Sequence, residues 1–444
     1  MMAESHGGHL GIMRENGNVD SDGSSNRDDE KQVQFAEEVT ILDEDPPPDG
    51  GFAAWLQVVG SYSLYFNTWG TINMFGVFQT YYENELLGHM SPSAISWIGS
   101  LQSFLLLAVG VISGPLYDAG HLRLLLCSGW FLVPFGLMMI SVCTQYWQVM
   151  LAQAVCVGVG AGALYIPSVA IIPQYFSRRK ALAMGIVTSG SSFGGVIYAL
   201  MFQSLLPRVG FGWATRIMGF TSFATISISV LVLRRRTPAV GIRSLLDTQA
   251  FKERPYVVYC FGISLSYIAF FVPIFYLQNY ALSHGLQGQT VALYLVAILN
   301  AGSVVGRLSP SLIANKIGPV QTLLISVTLA GVTAFAWINT DTGAGNIAFS
   351  VFFGFFTGGI VALPAVVLTS FTPDLSRLGT RLGMSSMLNG VASLVGTPIA
   401  GAILNSTGNY LWIQLFAGFL FLATSAFLVA LRFVITGRKL VAKA

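Results

Sequence analysis

Twelve apolar runs dominate the sequence and constrain its fold more than any other feature. Each run is about 20 residues long, the length that an α-helix needs to cross the hydrocarbon core of a bilayer. The runs lie near residues 53–78, 93–113, 122–143, 147–172, 181–203, 214–233, 256–278, 290–312, 319–338, 343–370, 383–404 and 409–433. We therefore expect an all-α membrane protein with twelve transmembrane helices, here numbered as spans one to twelve.

Composition supports a membrane protein and separates an acidic tail from a basic body. The chain has 444 residues, of which 53% are hydrophobic and 10% charged, and its mean hydropathy is +0.65. Residues 1–52 carry thirteen Asp or Glu against three Lys or Arg, whereas the remainder carries seven against twenty. A polar, acidic segment of this kind is typical of disorder. The basic residues fall in short loops, which gives no indication of a nucleic-acid partner.

The loop charges predict the orientation of the chain. With a cytoplasmic N-terminus, seventeen Lys and Arg fall in cytoplasmic loops and the C-terminal tail, and only Arg208 and Arg216 fall on the opposite side. This asymmetry matches the positive-inside rule. We expect a multi-pass protein of the cell membrane, in contact with lipid, with both termini in the cytoplasm; the vacuolar membrane is the alternative.

The longest internal loop, residues 234–255, divides the body into two sets of six spans. The predicted organisation is a cytoplasmic tail (1–52), an N-terminal half (53–233), the central loop (234–255), a C-terminal half (256–434) and a short cytoplasmic tail (435–444). Spans four and ten resemble each other, since both have clustered glycines followed by a proline, Pro167 or Pro364. A parallel repeat of two pseudo-symmetric halves places a substrate site between them near mid-membrane.

Three motifs indicate a family. They are "PDGGFAAW" (Pro48 to Trp55), "GPLYDAGHLR" (Gly114 to Arg123) and "YFSRRKALAMGIVTSGSSFGG" (Tyr175 to Gly195). Together they resemble the major facilitator superfamily, and within it the fungal branch of the monocarboxylate porter family, over residues 48–434. The resemblance implies a small-molecule carrier that works by alternating access without a cofactor. Some members of that family require an accessory membrane protein, which the sequence leaves open.

Charged motif residues at the cytoplasmic surface are candidates for gating. They are Asp118, Arg123, Arg178, Arg179 and Lys180. Contacts between such charges and helix ends can hold one arrangement of the halves and break as the halves rock. The alternative is that the basic cluster only sets topology.

Arg307 is the only Asp, Glu, Lys, Arg or His in the interior of a predicted span, away from its ends. Placing arginine there costs about 2.5–3.5 kcal/mol on insertion scales, and such residues usually face a pathway. Arginine stays charged, and its planar fork of donors suits a carboxylate or similar oxyanion. The alternative is that Arg307 extends to the membrane surface or caps carbonyls near Pro310.

The family resemblance adds further candidates for substrate binding. Animal-type members have an aspartate where this chain has Ser303 and a lysine where it has Asn73, so a lysine–aspartate proton relay is in doubt. We rank Asn73 and Asn300 highest among the uncharged candidates, because Asn300 lies two turns before Arg307 on nearly the same face. Tyr165 is a further candidate, and Phe356 falls where the resemblance implies a selectivity-setting aromatic residue.

We therefore predict a secondary-active or facilitative carrier of a small organic acid or related metabolite, with monocarboxylate-like, vitamin-like and specialised metabolites all open and export included. A proton-driven multidrug exporter of the same fold is the alternative, although span five lacks proline and no span holds a carboxylate. A nutrient sensor that signals through its tail is a second alternative. Because no nucleophile–base pair, paired carboxylates or metal-ligand cluster lies within the spans, we expect neither an enzyme nor a metal site.

Overall fold

The computed structural model of the protein describes residues 47–236, 246–286, 290–372 and 377–437. Throughout these ranges the regular structure is helical, and no strand occurs in them. Most of the predicted acidic tail, part of the central loop and the last residues of the C-terminal tail lie outside the described residues.

The N-terminal half follows the predicted spans closely. Its helices are α1 (Phe52–Asn73), α2 (Phe75–Tyr81), a π-helix (Tyr82–Leu86), α3 (Pro92–Asp118), α4 (Leu122–Ile140), α5 (Tyr146–Val149), a second π-helix (Met150–Val157), α6 (Gly158–Ala170), α7 (Ile172–Tyr175) and α8 (Lys180–Val232). Span one thus comprises α1 and α2, and span four comprises α5, the second π-helix and α6.

Helix α8 contains both span five and span six. Gly210 has φ 74° and ψ 170°, which breaks the helical path at one residue. A positive φ of this size suits glycine and few other residues. The residues between predicted spans five and six are therefore helical on both sides of a single glycine.

The C-terminal half repeats the arrangement. It comprises a 3₁₀ turn (Ala250–Lys252), α9 (Arg254–Ala281), a π-helix (Leu282–Leu286), α10 (Thr290–Ile317), α11 (Pro319–Ala336), a 3₁₀ turn (Trp337–Asn339), α12 (Gly343–Ala362), α13 (Pro364–Ser370), α14 (Leu378–Thr407) and α15 (Leu411–Thr436). Spans seven, eight and eleven are α9, α10 and α14, and α12 with α13 forms span ten.

Ten helices within the described ranges are long and apolar enough to cross a membrane. One of them runs from Leu182 to Val232 and includes the break at Gly210, so it supplies two spans. Helix α1 is not among the ten, but its 22 residues continue into α2 along the line of span one. The all-α fold with twelve spans is confirmed.

Glycines fix the same helix pairing in both halves. A Cβ on Gly194 of span five would overlap the carbonyl of Phe66 in span one, and a Cβ on Gly396 of span eleven would overlap the carbonyl of Ile268 in span seven. Such close approach is the usual role of small residues between membrane helices. The equivalent pairs, one with five and seven with eleven, are the structural expression of the internal repeat.

Candidate functional site

Arg307 lies on α10 between the two halves, and its side chain is only 1% exposed. Its Nη1 donates to the carbonyl oxygen of Thr188 in span five at 3.1 Å, and its Nε lies 3.4 Å from Ser303 Oγ on its own helix. The guanidinium is therefore enclosed and bonded to the opposite half. It does not extend to water at the membrane surface, as the alternative interpretation of Arg307 required.

Asn73 and Asn300 meet across the same interface. Asn300 Nδ2 donates to the carbonyl oxygen of Asn73 at 3.2 Å and to that of Val296 at 2.9 Å. Gly195 of span five leaves room for this contact, since a Cβ there would lie 2.6 Å from the Asn300 amide. The structure thus places Asn73, Asn300 and Arg307 on one interface between the halves. Asn300 and Arg307 both face this interface from span eight.

Two tyrosines lie near the guanidinium, and a third lies beside them. The Tyr165 ring lies 6.2 Å from that of Tyr65 and 5.9 Å from that of Trp69, both edge to face. The Tyr65 and Tyr165 hydroxyls interact, and Tyr65 and Tyr267 both lie within electrostatic range of Arg307. One cation, three hydroxyls and an indole therefore come together from spans one, four, seven and eight.

Tyr267 is a site residue that sequence reasoning missed. Phe66 contacts Gly194 in the first half, and Ile268 makes the matching contact with Gly396 in the second. Tyr65 and Tyr267 each come one residue earlier, so they occupy equivalent positions in the two halves. An alignment of span one with span seven pairs these two tyrosines and is the sequence signal that marks Tyr267. The comparison of spans four and ten contains no such signal.

Phe356 stands apart from this group. Its ring stacks on Phe352 with centroids 6.4 Å apart, and Phe352 is 55% exposed on the bundle surface. It also contacts Phe355 edge to face at 5.3 Å. In this conformation Phe356 therefore shares a helix face with a surface residue.

The charged residues of the second motif make contacts within the N-terminal half. Arg123 Nη1 donates to the carbonyl oxygen of Val230, and Arg235 Nη1 donates to that of Asp118 at 3.0 Å. The Arg235 guanidinium also lies 5.2 Å from the centre of the Tyr117 ring. These helix-end contacts tie spans two, three and six together at the end of the bundle that we call the basic end, defined by Arg178, Arg179, Lys180 and Arg234.

The first and third motifs meet at the basic end. Asp49 Oδ1 accepts hydrogen bonds from the backbone N–H groups of Ser177 at 2.6 Å and Arg179 at 3.4 Å, and the Asp49 N–H donates to the Tyr175 carbonyl at 3.0 Å. Asp49 takes φ 51°, a left-handed conformation that Asp tolerates better than most residues. We call this set of contacts the Asp49 junction. Arg178, Arg179 and Lys180 themselves point into solvent.

A second junction occupies the equivalent place in the C-terminal half. Arg381, only 3% exposed, donates from Nη1 and Nη2 to the Glu253 carboxylate at 2.8 and 2.5 Å, and from Nε to Asp247 at 3.1 Å. Its guanidinium lies 5.8 Å from the centre of the Tyr256 ring. We call this the Arg381 junction. Sequence reasoning missed it because Arg381 falls two residues before the predicted start of span eleven.

The halves are bonded to each other at the opposite end of the bundle, which we call the Glu83 end. The Glu83 carboxylate accepts hydrogen bonds from the side-chain amides of Gln79 on α2 and Asn279 on α9. Ser93 Oγ donates to the carbonyl oxygen of Pro398 at 2.8 Å. These bonds connect span one with span seven, and span two with span eleven.

Spans two and eleven diverge toward the basic end. A Cβ on Gly401 would lie 2.6 Å from Ser93 Cα, one on Gly390 would lie 3.3 Å from Leu107 Cβ, and one on Gly383 would lie 3.8 Å from the Val111 side chain. At this pair of spans the halves therefore form a wedge that is tightest at the Glu83 end.

Comparison with known proteins identifies the family. Residues 59–344 match the family model described as Major Facilitator Superfamily. The chain is 41% identical to the MFS-type transporter dbaD of Emericella nidulans, over 82% of each chain. It is 38% identical to the aspyridones efflux protein apdF of the same organism, over 89% of this chain and 80% of the relative. It is 36% identical to the agnestins efflux protein AgnL12 of Paecilomyces divaricatus, over 87% of this chain and 89% of the relative.

A solved structure shows the same fold. The nucleoside transporter NupG covers 86% of this chain and 99% of its own, with a TM-score of 0.66 and 12% sequence identity. The chain belongs to the major facilitator superfamily and is a multi-pass membrane transporter of a small molecule.

Proposed function

We propose that the protein is an alternating-access exporter of an organic-acid metabolite, with Arg307 as the anion-binding residue. The observation that carries this proposal is the enclosure of Arg307 between the halves, with Tyr65 and Tyr267 near its guanidinium and Tyr165 beside Tyr65. A guanidinium binds a carboxylate through two parallel N–H···O bonds. The aromatic rings beside it suit a substrate larger and more apolar than a short monocarboxylate.

Two relatives support export of a specialised metabolite, since their names describe efflux of aspyridones and of agnestins. The motif resemblance supports the monocarboxylate porter branch. The concentration of Lys and Arg at the basic end supports a cytoplasmic location for that end and for both termini, in the cell membrane. Because Asn73 and Ser303 are neutral, we assign no proton relay to this pair.

Transport by purified protein in sealed vesicles tests the proposal. Radiolabelled monocarboxylates and larger aromatic acids are compared as substrates of the unaltered protein and of Arg307→Gln, Arg307→Lys and Tyr267→Phe. A lost charge-assisted bond is worth about 1.5–3 kcal/mol, so Arg307→Gln should weaken apparent affinity roughly 10- to 100-fold. Arg307→Lys keeps the charge without the planar fork, so its apparent affinity should lie between those of the unaltered protein and Arg307→Gln.

The matched control is Arg208→Gln, which removes the same charge at an exposed position outside the proposed site. Gel filtration and a thermal unfolding midpoint establish that each variant is folded. Unchanged transport of an acid by folded Arg307→Gln would exclude the anion-binding role. Neutral substrates, and the interface around Asn73 and Asn300, would then be tested instead.

A further inference from the structure

Glu83 is a carboxylate that the proposed transport chemistry does not use. It lies in the π-helix Tyr82–Leu86, five residues beyond the predicted end of span one, and its side chain is partly buried. Its two oxygens accept hydrogen bonds from Gln79 on its own span and from Asn279 on the opposite half. Opening the wedge at this end must separate Glu83 from Asn279.

The charge of Glu83 is held by neutral donors. Within the described ranges, no Lys, Arg or His forms a salt bridge with it. The titratable groups within electrostatic range on neighbouring elements are Tyr276 of α9 and Tyr410 just before α15. Tyrosines are neutral well above physiological pH, so they do not compensate a carboxylate. The closed contact therefore encloses a negative charge without a counter-ion.

A hydrogen-bond acceptor for the neutral acid is also available beside Glu83. The Gln79 side-chain oxygen is buried and has no hydrogen-bond partner in the structure. A half turn of that amide would present the oxygen to a protonated Glu83, at the cost of the bonds from Nε2 to the Pro92 carbonyl and to Ser96 Oγ. The surroundings can therefore satisfy the neutral acid as well as the anion.

We propose that Glu83 is a proton-binding site that controls the gate at the Glu83 end, with the neutral acid stabilising the closed gate. In the closed arrangement, desolvation raises the pKa of Glu83 to about 7, against opposing hydrogen bonds from Gln79 and Asn279. Once the gate opens, water reaches the carboxyl and its pKa returns toward the ordinary value. The closed gate thus binds the proton more tightly, and acid favours closure. This inference does not depend on the identity of the substrate.

The distance between the halves, measured as a function of pH, tests this proposal. Spin labels are placed on Thr144→Cys and Ser406→Cys, exposed positions of the two halves at the Glu83 end, after the four native cysteines are replaced by alanine. Pulsed dipolar spectroscopy in nanodiscs then gives the ratio of open to closed populations. We expect this ratio to fall about tenfold between pH 8 and pH 6, because the closed form takes up the proton in this window.

Two variants of the same net charge separate Glu83 from its neighbour. Glu83→Gln imitates the neutral acid and should give a mostly closed, pH-independent gate. Glu85→Gln is the matched control at an exposed site and should keep the response of the unaltered protein. A flat response in the unaltered protein, or a full response in Glu83→Gln, would overturn the proposal.

Asn279→Leu provides an independent measurement if Glu83→Gln does not fold. It removes one donor to the carboxylate and should move the midpoint of the gate response to higher pH. An unchanged midpoint in folded Asn279→Leu would also count against Glu83 as the proton-binding group. Because substrate is absent throughout, these results are separate from any failure of the transport proposal.

Discussion

The two junctions at the basic end occupy equivalent places in the repeat but use different chemistry. Each joins the segment before the first span of its half to the start of the fifth. The Asp49 junction places one carboxylate on backbone N–H groups at the start of α8, with all partners near solvent. The Arg381 junction buries a guanidinium between two carboxylates.

The difference indicates which feature of the repeat is retained. Each junction holds together the first and fifth spans of its own half. The contacts of Gly194 and Gly396 continue this pairing into the membrane. The helix geometry is therefore common to both halves, whereas the bonds that support it are not. Each half should move as a rigid unit, with the relative motion located between the halves.

The largest effect should come from breaking the Arg381 junction. Arg381→Met leaves the carboxylates of Asp247 and Glu253 together without their cation. Breaking a buried ion pair costs about 3–5 kcal/mol, and the exposure of Glu253 reduces this, so we expect a loss of about 2 kcal/mol in unfolding free energy. Chemical unfolding in mixed micelles, followed by tryptophan fluorescence, measures it. Arg377→Met, at a side chain 45% exposed and 3.9 Å from Asp247, is the control and should change little.

A smaller effect is expected at the Asp49 junction. Asp49→Ala removes the acceptor for the N–H groups of Ser177 and Arg179, and alanine adopts the positive φ of this position less readily than Asp or Asn. Asp49→Asn keeps an acceptor and tolerates that φ. The thermal midpoint should therefore fall in the order unaltered, Asn, Ala, and by less than for Arg381→Met. Equal midpoints for Asn and Ala would show that the acceptor contributes nothing.

The pH dependence of stability should reveal both junctions at acid pH. Desolvation alone would raise the pKa of Asp49 and of Asp247. At Asp49, hydrogen bonds from backbone N–H groups lower the pKa below its ordinary value. At Asp247, the hydrogen bond and charge of Arg381 lower the pKa in the same way. A carboxyl whose pKa is lowered on folding adds stability that is present above its unfolded pKa of about 4 and is lost as the pH falls further. Thermal midpoints between pH 6 and pH 3 should fall less steeply in Asp49→Asn and in Asp247→Asn than in the unaltered protein.

Salt should give the smallest effect and should distinguish the two junctions. Screening by 1 M NaCl weakens partly exposed ion pairs by about 0.5 kcal/mol. The stability difference between the unaltered protein and Arg381→Met should therefore shrink in salt. The difference between the unaltered protein and Asp49→Asn should change less, because the Asp49 carboxylate accepts its hydrogen bonds from backbone N–H groups. Equal salt effects on the two comparisons would contradict the assignment of ion pairing to one junction alone.

Most of the fold was predictable from the sequence, because the length and hydrophobicity of the spans are strong local signals. The predicted limits of span two (93–113) and span seven (256–278) lie inside α3 and α9 as observed. The connection between spans five and six was not predictable in this way. A single glycine at positive φ replaces the loop there, and hydropathy does not distinguish a polar helical turn from a loop.

The candidate site was predictable only in part. Arg307 could be singled out because charge within a span is rare and costly. Tyr267 could not be, because tyrosine is common in membrane helices and only its repeat relation to Tyr65 marks it. Glu83 and Arg381 lie just outside predicted span ends, where charges are ordinary. Their significance depends on tertiary contacts that no local pattern contains.

The bonds that cross the interface of spans five and eight include neutral ones, such as Ser192 to Ser303 at 3.1 Å. Polar contacts of this kind between membrane helices are worth about 0.6 kcal/mol each. Thermal energy breaks and re-forms such neutral contacts readily, so they add little to the barrier for separating the halves there. The rate of turnover should then depend mainly on how quickly the substrate enters and leaves.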